Sequence, residues 1–541
     1  MPDYVDLPAD TNQALGIARY AIDFLQNGAP STAVLNKTNQ FFTDACLCGV
    51  SALALGTNAP SILKAEAHEY AVPAGHSGPG LGRASTHGAT CFGSSTRVKA
   101  EKAIVANCSA VREWDSNGTN FGFRPELGNT AGEFGHNDFY AVCIAAAQML
   151  GETPSAGAKG DGSLALRAMV CHDEIRGRLA EVFSLKTYKV DHVVHGAIAS
   201  AAVFGAMMGA TEEQIESAIG MVVAHYIPFR AIRAGKQLSD SKGASAAIST
   251  EAAILALKRS MAGFLGPRDI FRNPEAIFRI FEGPGQFYKA VNATEANTAQ
   301  ADASPFDLRL QNSGDDFAVM GMHFKLGLYE HQSAGALQAM IDLFAKAPRL
   351  LEDASGDAFE KITITAYEPA FGIIGDPAKR SPTTRQSADH SMVYIVSTLL
   401  RKALETKATT WEDLILLPHD YSKAAIEHPL TRKLMDKIEF AHGGPEYDDR
   451  YPDGIPTSMV AQTADGSSHD SGLVMYPSGH ARNTTADLDA LLANKWKRLG
   501  ALASDNADAL ISRFSNLGSK SVADIATIHD FEITHDGSFV E

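Results

Sequence analysis

Hydrophobic positions in the first part of the chain recur with helical spacing. Leu15, Ala18, Ile22 and Leu25 follow a 3-4-3 rhythm that predicts an amphipathic helix, with Gly28 as its C-terminal cap. Phe139 to Leu150 is an Ala-rich run whose capping candidates are Asn137 and Asp138. Thr211-Glu-Glu-Gln214 has the form of a capping box and opens a helix through Met221. Ala246 to Met261 predicts another helix, ended by Gly263 and Gly266-Pro267. After about residue 305 the pattern changes. Leu337, Met340, Ile341 and Phe344 mark one more helix, but Lys361 to Tyr367 alternates with period two, as a half-buried strand does. Lys437 to Ala441 is a second strand candidate, and Ser458–Thr463 with Ser471–Tyr476 reads as a hairpin turning at Asp465-Gly466. From Asp487 onward the pattern is helical again. Val291 to Pro305 and Gly443 to Pro456 read as long loops, and no internal repeat is evident. A helical body followed by a smaller α+β unit is therefore expected.

Composition narrows the class. With 541 residues, a prior of about 150 per domain allows two to four domains. Hydrophobic residues make up 45% and charged residues 20%, enough apolar side chain for a sizeable core. The net charge of -16 and pI of about 5.6 disfavour nucleic acid and anionic membranes as partners. An anionic ligand would be repelled by that field, so a local cluster of Lys, Arg and His would have to bind it. The uncharged stretch His192–Thr211 is Ala/Gly-rich and reads as a buried packing helix rather than a membrane span. The first residues lack the basic start and apolar core of a secretory signal, and early Asp3 and Asp6 argue against a transit peptide. Cytoplasmic placement is expected, or mitochondrial if a transit peptide has been removed. Cys46, Cys48, Cys91, Cys108, Cys143 and Cys171 show no metal-finger spacing and read as reduced thiols. There is no P-loop, dinucleotide-binding GxGxxG, HExxH or EF-hand motif, and Gly75–Gly82 is a Gly-rich loop without a preceding strand.

Six polar constellations remain. The first is Arg112-Glu-Trp-Asp-Ser-Asn-Gly-Thr119 followed by Gly135-His-Asn-Asp138. A neutral His136 beside a helix start suits a general base, although taken alone it reads as a loop residue next to a cap. Asp191-His192-Val-Val-His195 leads into the apolar helix, where a satisfied core histidine is the plainer reading. Arg230, Arg233, Lys236, Asp240 and Lys242 gather before the helix at Ala246, where cations oppose the dipole unless an anion sits there. Lys325, between Phe324 and Leu326, is either partly desolvated and free for acid/base work or snorkelling to solvent. Arg385-Gln-Ser-Ala-Asp-His390 and Tyr476-Pro-Ser-Gly-His-Ala-Arg482 read singly as polar loops or caps.

Taken in order, these segments resemble the MmgE/PrpD family, and within it the 2-methylcitrate dehydratase group. Residues 112–119 resemble that group's R-E-W-D-x-N-D-T segment, and His136 with the helix behind it resembles its H-P-S-D-N segment. Residues 191–219 resemble its D-H-V helix and the helix that follows, and Ser239–Thr250 falls where the group has R-K-x-W-A-A-G-D-A. Residues 323–340 resemble F-K-x-x-x-P-A-E-x-H-x-Q-x-A, and Tyr476–Asn483 resembles Y-P-x-G-H-x-R-R. The resemblance implies a mainly α fold: an all-helical domain from residues 1–305 and 483–541, with a smaller α+β lid over 306–482. It also implies a homodimer, a small tricarboxylate as the partner molecule, and neither metal nor other cofactor. By position, the implied catalytic residues are His136, Lys325, His192 and Asp115, and the implied substrate-binding residues are Asn117, Asp138, Lys242, Arg385 and His390. The expected role is base for His136, oriented by Asp115 or Asp138, and acid for Lys325 or His192. Lys242 and Arg385 would clamp carboxylates.

Several positions depart from the group. Gly118 replaces Asp, Ser116 replaces an aromatic residue, Phe121–Phe134 is longer, Ala244–Ser249 has lost the Trp, and the segment after Lys325 is shorter without its Pro-Ala-Glu. The expected reaction is dehydration of 2-methylcitrate or a longer 2-alkylcitrate. The alternatives are decarboxylation of cis-aconitate, a metal-dependent lyase, and a non-catalytic tricarboxylate-binding or scaffold protein.

Overall fold

A computed structural model describes residues 3–73, 88–120, 135–151, 160–233, 238–281, 302–375 and 377–541. The Gly75–Gly82 loop, the Phe121–Phe134 segment, Lys236 and most of the Val291–Pro305 loop lie outside the described residues.

The helical body comprises α1 (Gln13–Asn27), α2 (Thr32–Ala54), α3 (Asn58–Glu69), α4 (Ala100–Glu113), α5 (Ala141–Gly151), α6 (Gly162–Val182), α7 (Val193–Met208), α8 (Glu212–His225) and α9 (Ser241–Met261). Helix α7 is its axle and packs against α1, α5, α6, α8 and α9. It is buried without a break from Val193 to Gly205, and its small residues make this close approach feasible. A Cβ on Gly196 would lie 2.0 Å from the Phe139 ring. The long uncharged stretch is thus a core helix. Among the described residues, no single helix is long and apolar enough to cross a membrane. All six cysteines are buried and free.

Several predicted elements shift in phase or extent. In α1 the buried face is Ala14, Ile17, Ala18, Ala21, Phe24 and Leu25, whereas Leu15 and Ile22 are only half-buried, because the core meets a neighbouring stripe of the helix. Gly28 does cap α1, its N–H donating to the Phe24 carbonyl. The capping box of Thr211 and Gln214 forms, and α8 runs on to His225. Helix α9 begins at Ser241 rather than Ala246, which places Lys242 in its first turn. Asn137 and Asp138 turn their side chains toward Phe41 and Asn117, not onto the start of α5.

Strand β1 (Tyr4–Leu7) pairs antiparallel with β2 (Leu308–Gln311). Beyond it lie α10 (Ala334–Lys346), β3 (Phe359–Ala366), α11 (Met392–Thr406), β4 (Ile438–His442), β5 (Thr457–Thr463) and β6 (Ser468–Asp470). The sheet order is β4-β3-β5-β6, with β4 parallel to β3 and the other pairs antiparallel. The period-two pattern is real. Ile362, Ile364 and Ala366 of β3 point into the core, as do Met459 and Ala461 of β5. The hairpin returns three residues earlier than predicted, at Ser468–Asp470, with Gly466 in the left-handed turn conformation (φ 83°). Helix α10 packs on β5 and on α11. The last part of the chain carries α12 (Leu488–Ala501) and α13 (Ala507–Phe514), both packed against α2 of the helical body, and then the short helix Val522–Ala526, packed against α5. The fold is mainly α, with one four-stranded sheet and small two-stranded ones among the described residues.

Candidate active site

Helix α4 ends at Glu113, and the next residues turn through a buried loop anchored by Trp114, whose Nε1 donates to Ser51 Oγ at 3.0 Å. This loop presents Asp115 to four other segments. Arg112, one turn earlier, donates to Asp115 Oδ1 at 2.8 Å, and Lys325 forms an ion pair with the same oxygen. His390 Nε2 lies 3.4 Å and Lys242 Nζ 3.9 Å from Oδ2. Burial alone would raise the Asp115 carboxyl, but Arg112, Lys325, His390 and Lys242 hold it well below the usual carboxylate range. Asp389 is the second hub. It accepts from Lys242 at 2.8 Å and lies 2.7 Å from His390 Nδ1.

The histidines are neutral. Arg112 Nη2 lies 3.3 Å from His136 Nε2. A guanidinium has no lone pair to offer, so Nε2 accepts and the proton sits on Nδ1, which has no partner among the described residues. Burial, then Arg112 and Lys325, push the His136 pKa well below its ordinary value. His192 lies beside it with ring centroids 5.5 Å apart, and burial holds it neutral despite the adjacent Asp191. Asp191 is taken by Arg233. Asn117 donates to Asp138, whose carboxyl burial raises above its usual range, and Arg112 Nε lies 3.8 Å from that carboxylate. Burial lowers Lys242 to about 8 and lowers Lys325 as well, with Asp115 opposing both shifts.

Asp115, His136, His192, Lys242, Lys325, Asn117, Asp138 and His390 are therefore brought into one connected cluster. Arg385 borders it in another capacity. It is 1% exposed, paired with Glu113, bonded to Glu541 at 2.6 Å and stacked 5.0 Å over Trp114, and its Nη1 is 3.7 Å from Asp389. Its charge is met by the protein, so it positions Asp389 and leaves no open fork for a ligand. His195 also stands apart, its Nε2 being 3.1 Å from the Phe183 carbonyl and its buried Nδ1 without a partner among the described residues. The His480 ring of the Tyr476–Arg482 segment lies 4.0 Å from that of His323, tilted 34° to it, and His323 is two residues before Lys325.

Sequence reasoning passed over Arg112 and Asp389. Arg112 lies in the last turn of α4, three residues before Asp115, and it is the loop after Glu113 that turns Asp115 back onto it. Asp389 is the immediate neighbour of His390 and had the same visibility. Glu330, half-buried with its carboxyl raised to about 7 by burial and by Asp115, had no comparable signal.

Asp115, Asp389 and His390 offer ligand atoms within 4.8 Å of one another, as a metal site would. Lys242 and Lys325 already sit on those carboxylates, however, so a divalent cation there would meet like charge. Arg112, Lys242 and Lys325 bring three cations to the carboxylates of Asp115, Asp389 and Asp138. In a chain of net charge -16, that gathering of cationic donors fits an organic anion better than a metal ion.

A helical body and a sheet-bearing unit meeting at a buried acid/base cluster define the class, and comparison with known proteins gives the family. The MmgE/PrpD N-terminal domain matches residues 16–289 and the MmgE/PrpD C-terminal domain matches residues 331–516, so the chain belongs to the MmgE/PrpD family. Among its relatives, a 2-methylcitrate dehydratase of Escherichia coli K12 is 25% identical over 360 residues, covering 65% of this chain and 67% of that protein. A 2-methylcitrate dehydratase of Salmonella typhimurium is 24% identical over 371 residues, 67% of this chain and 69% of that protein.

Proposed function

We propose that this protein is a hydro-lyase that removes water from 2-methylcitrate or a related 2-alkylcitrate to give the corresponding 2-alkyl-cis-aconitate, without a metal. The observation that carries the reading is the gathering of Arg112, Lys242 and Lys325 around Asp115, with neutral His136 across Arg112. Such a site can hold carboxylates, take a weakly acidic proton and return one to a leaving oxygen.

In the substrate-free state the His136 lone pair is engaged by Arg112. A substrate carboxylate that draws Arg112 to itself frees Nε2 to take the proton from the carbon beside a carboxylate. As that C–H bond breaks, its electron pair forms the double bond and the tertiary C–O bond breaks. The departing hydroxide takes a proton from the Lys325 ammonium and leaves as water. Asp115 keeps that ammonium in place, and burial lowers its pKa, which makes it the better acid. Lys242 binds a second carboxylate. A Cβ on Gly118 would lie 2.4 Å from the Phe41 ring, and Ser116 Oγ donates to the Gly327 carbonyl at 2.8 Å, so neither departure by itself opens room for a longer alkyl chain. The names of the relatives, both 2-methylcitrate dehydratases, support the same reaction class.

The test is NMR product analysis after chelator-treated protein is incubated separately with 2-methylcitrate, a longer 2-alkylcitrate and cis-aconitate. An unsaturated tricarboxylate from an alkylcitrate is expected. Itaconate from cis-aconitate alone would make the enzyme a decarboxylase, and loss of all turnover on chelation would overturn the metal-free reaction.

A further inference from the structure

Outside the cluster described above, one ionisable group is buried completely and touches both catalytic segments. Lys495 lies in α12, in the stretch Leu491-Leu-Ala-Asn-Lys-Trp-Lys-Arg-Leu499. With Leu491 and Leu499 four residues to either side, it occupies the apolar face of the helix, and it is 0% exposed. Its ammonium has three N–H donors and three acceptors. It donates to Asp44 Oδ2 of α2 at 2.9 Å, to the Ser116 carbonyl at 2.7 Å and to the Lys325 carbonyl at 2.8 Å. Asp44 is itself 0% exposed and also accepts from Trp496 Nε1 at 2.9 Å.

The two carbonyls belong to the residue after Asp115 and to Lys325 itself. These segments already meet through backbone bonds, Thr119 N–H to His323 O at 3.0 Å and Tyr329 N–H to Asp115 O at 3.1 Å. They also meet through Ser116 Oγ donating to the Gly327 carbonyl at 2.8 Å. All of those contacts run directly between the two segments. Lys495 hydrogen-bonds to both of them and ties them to α2 through Asp44, beside the Phe41 ring of α2 that stacks on Phe324. We propose that Lys495 is a positioning residue that sets the relative placement of Asp115 and Lys325, a role that rests on the site reading above. A general acid a fraction of an ångström out of place loses most of its advantage, since a misplacement of about 1 Å can cost about 100-fold in rate.

A purely structural role would need only charge balance with Asp44. The variant Asp44→Leu/Lys495→Met separates the two, because replacing a buried ion pair by apolar side chains leaves no orphan charge. Its thermal melt should stay near that of wild type. With alkylcitrate, kcat should fall about 100-fold with KM little changed, and the pH-profile limb of Lys325 should move. Amide exchange should accelerate in peptides covering 113–120 and 322–330 and stay unchanged in α11. Wild-type kcat in the double variant overturns the proposal. If wild-type protein turns over no alkylcitrate, the function reading fails, and the exchange readout alone decides this one: unchanged protection in both peptides overturns it. If the double variant does not fold, Asp44→Asn is decisive, since it keeps the Lys495 donors on both carbonyls. Near-normal kcat supports the positioning role, and a loss as large as that of Lys495→Met overturns it.

Discussion

Arg385 is the residue whose expected role the structure changes most, and Arg385→Lys tests that change. The guanidinium contacts the Glu113 carboxylate, donates to the Glu113 carbonyl at 2.9 Å and donates to Glu541 Oε1 at 2.6 Å. A lysine has one compact ammonium and cannot span these directions. Two charge-assisted bonds lost at about 1.5–3 kcal/mol each amount to about 3–6 kcal/mol. Part of this is recovered. Burial has already raised the Glu113 carboxyl to about 7, so it takes up a proton readily once Arg385 withdraws. The expected destabilisation is therefore near the low end, about 3 kcal/mol. The assay is urea unfolding followed by tryptophan fluorescence, for which Trp114 lies under the substituted side chain, together with kcat and KM for the alkylcitrate. The unfolding midpoint should drop, kcat should fall because Asp389 is displaced, and KM should hold. If Arg385 instead gripped a substrate carboxylate, losing about 1.5–3 kcal/mol of binding would raise KM about 10- to 150-fold. A rise of that size with an unchanged midpoint would refute the positioning argument.

Three other outcomes are expected. Asp115→Asn leaves Arg112 and Lys325 without their shared buried carboxylate, so it should abolish turnover and destabilise the fold by about 3–5 kcal/mol, read by thermal melting; an unchanged melt would mean that water, not the carboxylate, satisfies those cations. His136→Ala and Lys325→Ala should each remove turnover and leave the circular dichroism spectrum intact, Asp115 keeping Arg112 at 2.8 Å in either case; near-normal activity in one of them would remove that residue from the mechanism. Burial holds His195, His390 and His529 neutral to about 4. The unfolded chain takes up protons on these groups below about 6.5, so stability present above that pH is lost as pH falls toward 4, by up to about 3 kcal/mol per group. Unfolding midpoints measured between pH 7 and 4.5 should decline, and a flat profile would contradict the burial.

Much of the architecture is local and was legible for that reason. The 3.6-residue spacing in α10 and the period-two run of β3 report which side of an element faces the core, and a capping box or a terminal glycine acts within four residues of itself. Where local signals fell short, the cause was non-local. Leu15 and Ile22 are apolar enough for a core, but the stripe of α1 that is buried depends on where α7 and α8 lie. The hairpin register depends on how β5 meets β3, and the start of α9 on what its first turn contacts, none of which is encoded in a neighbouring residue.

The same division runs through the site. From the sequence alone came the six polar segments, the absence of nucleotide and zinc motifs, and the residues that carry the family resemblance, because residue type and order are properties of the chain. Tertiary structure decided which of their charges remain available. Arg385 is consumed by Glu113 and Glu541, Arg112 joins Asp115 to His136, and Lys495 reaches Ser116 and Lys325 from a helix almost four hundred positions along from the Asp115 loop. A side chain's charge is fixed by its chemistry, but its pKa, its partners and its freedom to meet a ligand are set by whatever the fold packs within a few ångströms of it. In the dry interior that surroundings term is large enough to reverse the assignment.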